Sequence, residues 1–283
     1  MSYTEDNQRA FGSFGFDINQ IKSGSILVQA IDSKNINLVL LVLTYPGLDV
    51  NLQDKYEETA LHYACSFSNK YNIKIVETVG LLVSHPTIDV NLQNCNGATA
   101  LHFACGYILG GTKSEKIVEL LMKHPAIDVN LQDNDGRTAL HCACQDSGDA
   151  RDNSDKIVGL LVIHPAIDVN LKDNYGETVL HYACQDSSES KSEKILELLL
   201  SHPAIDINLQ DNDGRTALHN FLTSNEYFTE RKLELLLVGE CKSHLTHPAI
   251  DINLKDNYEW TPLHWACHRR NVKALEKLLE WTI

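Results

Sequence analysis

The chain has 283 residues, 43% of them apolar and 22% charged, with 38 acidic against 24 basic side chains and a formal net charge of -14. No run of about 18 apolar residues is present, so no membrane span is expected. The negative charge repels phosphate backbones, which disfavours nucleic acid and points to a protein partner with a neutral or basic surface.

Residues 1–21 read as an N-terminal arm in which Phe11, Phe14 and Phe16 lie among glycines, a spacing that fits neither a helix stripe nor a strand. Two roles stand open for it: it docks on the first helices of the chain, or it serves as a short linear peptide for another protein. The arm contains Glu5 and Asp6 and lacks both a basic start and an apolar segment, unlike a secretory signal. The eight cysteines are therefore expected in a reducing, cytoplasmic setting.

From Ser25 to Thr44, two apolar segments flank the polar stretch Asp32-Ser33-Lys34-Asn35, which predicts a pair of antiparallel helices. Pro46 then ends the second helix, because proline cannot continue the backbone hydrogen-bond ladder. The same ending returns at Pro86, Pro125, Pro165, Pro203 and Pro248, each followed by an apolar residue and Asp-Val/Ile-Asn. Next comes a tight-turn signal, clearest in Asp133-Asn134-Asp135-Gly136 and Asp211-Asn212-Asp213-Gly214, where glycine supplies positive φ.

After each turn stands Thr-Ala-Leu-His-x-Ala-Cys or a close variant. Its histidines, His62, His102, His141, His181, His219 and His264, recur at intervals of 38 to 45 residues, the mark of a stacked repeat array. Thr138 and Thr216 sit where a helix begins, with the histidine three residues on, so hydroxyl and imidazole can satisfy unpaired backbone donors. The second helices open at Ser114, Ser154 and Ser192, each followed by an acid, and these serines are expected to be caps.

Asp-x-x-Gly-x-Thr-Ala-Leu-His-x-Ala-Cys, then Ile-Val-x-Leu-Leu, then Asp-Val-Asn, resembles the ankyrin repeat. The resemblance covers residues 22–283 and divides them into seven repeats, 22–51, 52–91, 92–130, 131–170, 171–208, 209–253 and 254–283, with the first and last as caps. It implies an all-α solenoid with short β-hairpin fingers, a curved stack whose concave face binds proteins. The asparagine of each Asp-Val-Asn, as at Asn91, Asn130 and Asn170, matches a position that asparaginyl hydroxylases modify in some family members; its ordinary role is turn hydrogen bonding.

Three departures from the family stand out. The family repeat has about 33 residues, and the five inner repeats here lengthen the connector between their helices, as at Gln145 to Asp155 and Gln185 to Glu193. Glu57 and Glu259 replace the turn glycine, which predicts remodelled tips, because glutamate tolerates positive φ poorly. The sixth repeat has Asn220-Phe221-Leu222 in place of x-Ala-Cys and a second helix read as running on toward Cys241 and His244, which predicts a local distortion and a special contact site.

Each His-x-x-Cys pair offers two zinc-type ligands on one helical face, and the pair in the next repeat should lie about 8–10 Å away, beyond the reach of bonds of about 2.0–2.3 Å. The same spacing separates Cys65, Cys105, Cys144 and Cys184 too far for disulfides. A Cys-His nucleophile would need one pair to differ from its siblings, and none does. No metal, cofactor or catalytic residue is expected; Cys95, at a fingertip, is expected to be an exposed thiol.

What varies within the frame are the fingertips and the residue after each signature histidine, and variation on a fixed frame is where specificity can reside. The candidate partner-binding residues are therefore Tyr56, Glu58, Asp135, Arg137, Tyr175, Glu177, Asp213, Arg215, Tyr258 and Trp260 on the fingers, with Tyr182 and Trp265 on the first helices. Aromatic side chains supply large contact area at small entropic cost. The competing reading is that Arg137, Glu177 and Arg215, which alternate in sign, pair with one another across fingers. The functional expectation is a monomeric, non-catalytic interaction module acting as adaptor, scaffold or inhibitor; a pathogen-encoded effector engaging a host protein stays open, with a Cys-His enzyme or a metal-binding protein as remote alternatives.

Overall fold

In a computed structural model, residues 19, 25–66, 74–106, 112–145, 154–185, 189–223, 228–238 and 250–281 are described. They form seven helix pairs: α1 Ile26–Asp32 with α2 Ile36–Leu43, α3 Ala60–Cys65 with α4 Ile75–Val83, α5 Ala100–Gly106 with α6 Thr112–Met122, α7 Ala139–Cys144 with α8 Ser154–Val162, α9 Val179–Gln185 with α10 Glu189–Leu200, α11 Ala217–Thr223 with α12 Glu230–Val238, and α13 Pro262–His268 with α14 Val272–Trp281. Odd-numbered helices stack on odd and even on even, each chiefly against its neighbours along the array. The expected all-α repeat stack is the fold.

The inner, odd-numbered helices have six or seven residues, too short to hold in water alone. They are fixed by a reciprocal cap. In α3 the Thr59 hydroxyl accepts from the His62 amide at 3.4 Å, while His62 Nδ1 accepts from the Thr59 amide at 3.1 Å. An Nδ1 that accepts leaves the proton on Nε2, which donates to Ala98 O, on the next finger, at 3.0 Å. The same link joins His102 to Arg137 O, His141 to Glu177 O, His181 to Arg215 O and His219 to Trp260 O at 2.9 to 3.2 Å. These five histidines thus cap their own helices and tie them to the next repeat with both ring nitrogens engaged, while His264, in the last repeat, caps α13 through Nδ1.

Two further ladders run along the array. Asn130 Nδ2 donates to Ala166 O at 2.7 Å and its Oδ1 accepts from the Asp168 amide at 2.9 Å, a pairing repeated at Asn51, Asn91 and Asn170. These asparagines, expected to act within their own turns, therefore bond across repeats. At the tips, the Asn134, Asn174, Asn212 and Asn257 side chains each donate to a carbonyl of the preceding finger. The fingers are tight turns: the only β-pairings among the described residues are isolated bridges, Gln132 with Thr138 and Gln210 with Thr216.

Several local expectations are corrected. The tips at Glu57 and Glu259 are not remodelled: both residues adopt positive φ, 59° and 62°, and keep the turn hydrogen bonds to Asp54 and Asp256. Ser114 and Ser192 lie inside α6 and α10, and Ser154 is the first residue of α8, so these serines are buried core positions and not caps. The acids beside them instead reach the next outer helix, as in Lys156 with Glu115 at 3.4 Å and Lys194 with Asp155 at 3.7 Å. In the sixth repeat the His181 and His219 links hold on both sides of the helix pair, so the stack continues, and the reach of α12 past Val238 lies outside the described residues. Phe221 is accommodated by burial against Phe228, ring centroids 5.4 Å apart. Cys241, His244, the phenylalanines of the arm and residues 67–73, 107–111, 146–153, 186–188 and 224–227 of the inner connectors lie outside the described residues, and from Glu189 on the connector between Gln185 and Glu193 is already α10. Cys65, Cys105, Cys144 and Cys184 are buried and not in disulfides, and Cys95 is exposed. No helix among the described residues is long and apolar enough to cross a membrane.

Candidate functional site

Each finger is organised by the residue that opens it, an aspartate in all but the third, where the Asn94 side-chain oxygen takes the same amides. Asp173 Oδ1 accepts from the amides of Tyr175 at 2.9 Å and Glu177 at 2.8 Å, and the Asp173 amide donates to Glu177 O, closing the turn. The second carboxylate oxygen is then free to reach the inner helix nine residues on. Tyr182 donates its hydroxyl proton to Asp173 Oδ2 at 2.8 Å, and Trp265 Nε1 donates to Asp256 Oδ2 at 2.7 Å. Burial and this carboxylate together push the Tyr182 hydroxyl up. Burial would raise Asp256 as well, but the amides of Trp260 and Tyr258 and the Trp265 indole hold it below the usual carboxylate value. Where Cys142 occupies the helix position and offers no such donor, Arg137 takes Asp133 Oδ2 instead, through Nε at 3.0 Å and Nη2 at 2.9 Å.

The sixth finger breaks this pattern. Asn220 reaches Asp211 Oδ2 only at 3.5 Å and divides its amide with Glu177 Oε1 of the previous finger at 3.3 Å. Arg215, the counterpart of Arg137, forms no such fork. Its guanidinium lies over the Trp265 ring, 5.2 Å from the centroid, with Nη1 3.4 Å from Asp213 Oδ2, and its buried Nε has no hydrogen-bond partner. The fifth and sixth fingers therefore bound an open cleft of about 630 Å³, lined by Tyr175, Glu177, Gln185, Asp211, Asp213 and Arg215 together with Asn220 and Thr223. Three carboxylates face one cation already committed to an aromatic ring. Burial pushes the Glu177 carboxyl up, and the charges of Asp173, Asp211 and Asp213 add to this against the hydrogen bond from Gln185.

Tyr175, Glu177, Asp213 and Arg215 thus converge in one place. Trp260 and Trp265 form a wall beyond Arg215, with ring centroids 5.0 Å apart and His268 packed edge-on to both. Trp260 is half-buried in that cluster and does not project as an anchor, whereas Tyr175 and Tyr258 are 70% and 67% exposed. Asp135 and Arg137 pair within their own finger at 2.9 Å, and Arg215 does so with Asp213, so the expected cross-finger pairing of Arg137, Glu177 and Arg215 does not occur. Arg137 borders a smaller cleft of about 360 Å³ with Phe103 and Cys142. Tyr56 and Glu58 stand apart on the second finger; Glu58 is half-buried beside Asn94, and Tyr56 carries Lys55 over its ring at 4.6 Å. Gln185, Asp211 and Thr223 were not among the candidates, whereas the departure at Asn220 had marked the sixth repeat as a special contact site.

The family profile described as ankyrin repeats (3 copies) matches residues 27–133, 71–173, 109–211 and 187–283. No curated protein gives a significant sequence match. Among solved structures, the ankyrin repeat domain of Bcl-3, a member of the IkappaB protein family, aligns with a TM-score of 0.68 at 23% identity, covering 90% of this chain and 100% of that one. An ankyrin repeat domain from Acinetobacter baumannii AYE aligns at 0.59 and 23% identity over 76% of this chain and 98% of its own, and the ankyrin repeat protein EF0377 at 0.57 and 22% over 72% and 90%. At these identities the likeness is one of fold.

Proposed function

Because the chain belongs to the ankyrin-repeat family, whose repeats generally serve as protein–protein interaction modules, we propose that it is a non-catalytic adaptor, scaffold or inhibitor that grips a basic segment of a partner protein between its fifth and sixth fingers. The observation that carries this reading is the cleft itself, where Glu177, Asp211 and Asp213 face outward from rigid turns and Tyr175 stands exposed at the lip. A lysine or arginine entering there would meet Asp211, held by the Asp213 and Arg215 amides, and Glu177, held by the Gln185 and Asn220 side chains, so little ordering cost remains for these two on binding. The net charge of -14 would speed the approach of such a partner. The working unit is taken to be a monomer in a reducing, cytoplasmic setting, where its free thiols persist.

The test is a comparative affinity capture with three baits: the parent chain, a cleft variant carrying Tyr175→Ala, Glu177→Gln and Asp213→Asn, and a control carrying Glu276→Gln and Glu280→Gln, which removes the same charge from α14. A partner retained by parent and control and lost by the cleft variant supports the proposal. Retention by all three baits, or loss by the control as well, refutes it.

A further inference from the structure

The fourth and sixth fingers have the same sequence: Leu131 to His141 returns residue for residue as Leu209 to His219. Both turns close in the same way. Asp133 Oδ1 accepts from the Asp135 and Arg137 amides at 3.0 and 2.8 Å, and Asp211 Oδ1 accepts from the Asp213 and Arg215 amides at 2.9 and 2.8 Å. On this common backbone the two arginines stand differently. Arg137 folds back on its own finger, with Nε 3.0 Å and Nη2 2.9 Å from Asp133 Oδ2, and Nη2 also 2.9 Å from Asp135 Oδ2. Arg215 leaves the matching carboxylate and lays its guanidinium over the Trp265 ring, 5.2 Å from the centroid. The local sequence permits both placements, so side chains from other segments decide between them.

The placement adopted in the sixth finger leaves two groups poorly served. Arg215 gains the ring and Asp213 Oδ2 at 3.4 Å, but its buried Nε has no hydrogen-bond partner among the described residues, and an unpaired buried donor is unfavourable. Asp211 Oδ2, the acceptor that a fork would use, is met only by Asn220 at 3.5 Å. A return of Arg215 to that oxygen would leave Asn220 its other contact, Glu177 Oε1 at 3.3 Å. What draws Arg215 outward is the indole face, which attracts a flat cation. That face is itself held in place, because Trp265 Nε1 donates to Asp256 Oδ2 at 2.7 Å and its ring packs against Trp260 and His268.

We propose that Trp265 and Asp213 form a seat for a guanidinium, which Arg215 fills in the free protein and yields to an arginine of the partner. The proposal rests on the reading that the cleft between the fifth and sixth fingers takes a basic segment, and it narrows that segment to one carrying an arginine. The chain's own guanidinium marks the chemistry of the seat: a planar cation against an indole face with a carboxylate beside it. A lysine ammonium has the charge without the plane. When the partner's arginine arrives, Arg215 turns to Asp211 and takes the fork that Arg137 already forms with Asp133, so its Nε gains an acceptor and neither cation is left without a carboxylate.

The test titrates the full chain, isotope-labelled at arginine and glutamine, with N-acetylarginine methylamide at constant ionic strength and follows side-chain N–H signals by nuclear magnetic resonance. Two reporters are read together: Arg215 Nε–H for the seat, and the Gln185 amide, which donates to Glu177 Oε1 at 2.7 Å, for the cleft. The Arg215 signal should move toward that of the hydrogen-bonded Arg137 Nε–H with the same midpoint as the Gln185 shift. Arg215→Gln empties the seat and should tighten the probe about fivefold, while Lys277→Gln, the same charge change on α14, leaves it unchanged. N-acetyllysine methylamide at equal concentration should leave the Arg215 signal in place, and displacement by it as effective as by the arginine probe overturns the assignment to a guanidinium. A Gln185 shift with Arg215 unmoved, or equal tightening in the two variants, overturns the seat and leaves the cleft reading standing. Signals unmoved at both reporters overturn the two together.

Discussion

Gly136→Ala isolates what joins one finger to the next. At Gly136, φ is +79°, and an added Cβ would lie 2.7 Å from the Asn174 amide nitrogen, 2.7 Å from Asn174 Oδ1 and 2.9 Å from the Asp173 carbonyl carbon. Two of these are backbone atoms and cannot swing aside. The fifth finger must therefore move away, losing the bonds from the Asn174 amide to Asp135 O at 2.9 Å and from Asn174 Nδ2 to Asn134 O at 2.8 Å. Two hydrogen bonds are worth about 1–3 kcal/mol, and left-handed backbone costs alanine about 1–2 kcal/mol. The stiffer unfolded chain returns about 0.4–1 kcal/mol. The expected loss is about 3 kcal/mol, read as a shift in the urea-unfolding curve followed by far-ultraviolet circular dichroism. Glu57→Gly is the matched control, since Glu57 already sits at φ 59° and the next finger offers Cys95 where others offer asparagine. There the relief of strain and the added chain entropy nearly cancel, leaving a change of less than about 1 kcal/mol. A loss below about 1 kcal/mol for Gly136→Ala, or equal changes in the two variants, would refute the reasoning.

Acid should unfold the stack through its capping histidines. Burial lowers His141 from 6.5 to about 4, and it lowers His62, His102, His181 and His219 in the same direction. The unfolded chain then binds protons that the folded chain refuses, so stability is complete above pH 6.5 and is lost as pH falls toward 4. His141 alone accounts for about 3 kcal/mol of that loss. A urea midpoint that stays level across this range would contradict the burial of these imidazoles as neutral caps. Thiol labelling of the native protein should mark Cys95 and Cys267 and spare Cys65, Cys105, Cys144 and Cys184 until unfolding, because the four are buried and burial pushes the Cys184 thiol up to about 12. Native labelling of any of the four at the Cys95 rate would show that the stack opens there.

The sequence by itself determined the fold class, the period and the cap. Threonine and histidine three apart, proline after every outer helix but the last and glycine in four of the six fingers are local instructions, and each could be read without knowing what lay beside it. Long-range placement was not legible in the same way. Only the assembled stack shows that His62 Nε2 serves the following finger, that Asn130 bonds to Ala166 and that Asn19 bonds to Gly47, since these partners lie 28 to 36 residues away. The candidate site divides along the same line. That Tyr175, Glu177, Asp213 and Arg215 are finger residues followed from the pattern; that Arg215 leaves Asp211 for the Trp265 ring follows from Asn220 and Trp265 standing on either side of it in space. A repeat tells each residue its place within the unit, whereas the contacts between units depend on which variant occupies the neighbouring one, and that is decided only when the units stack.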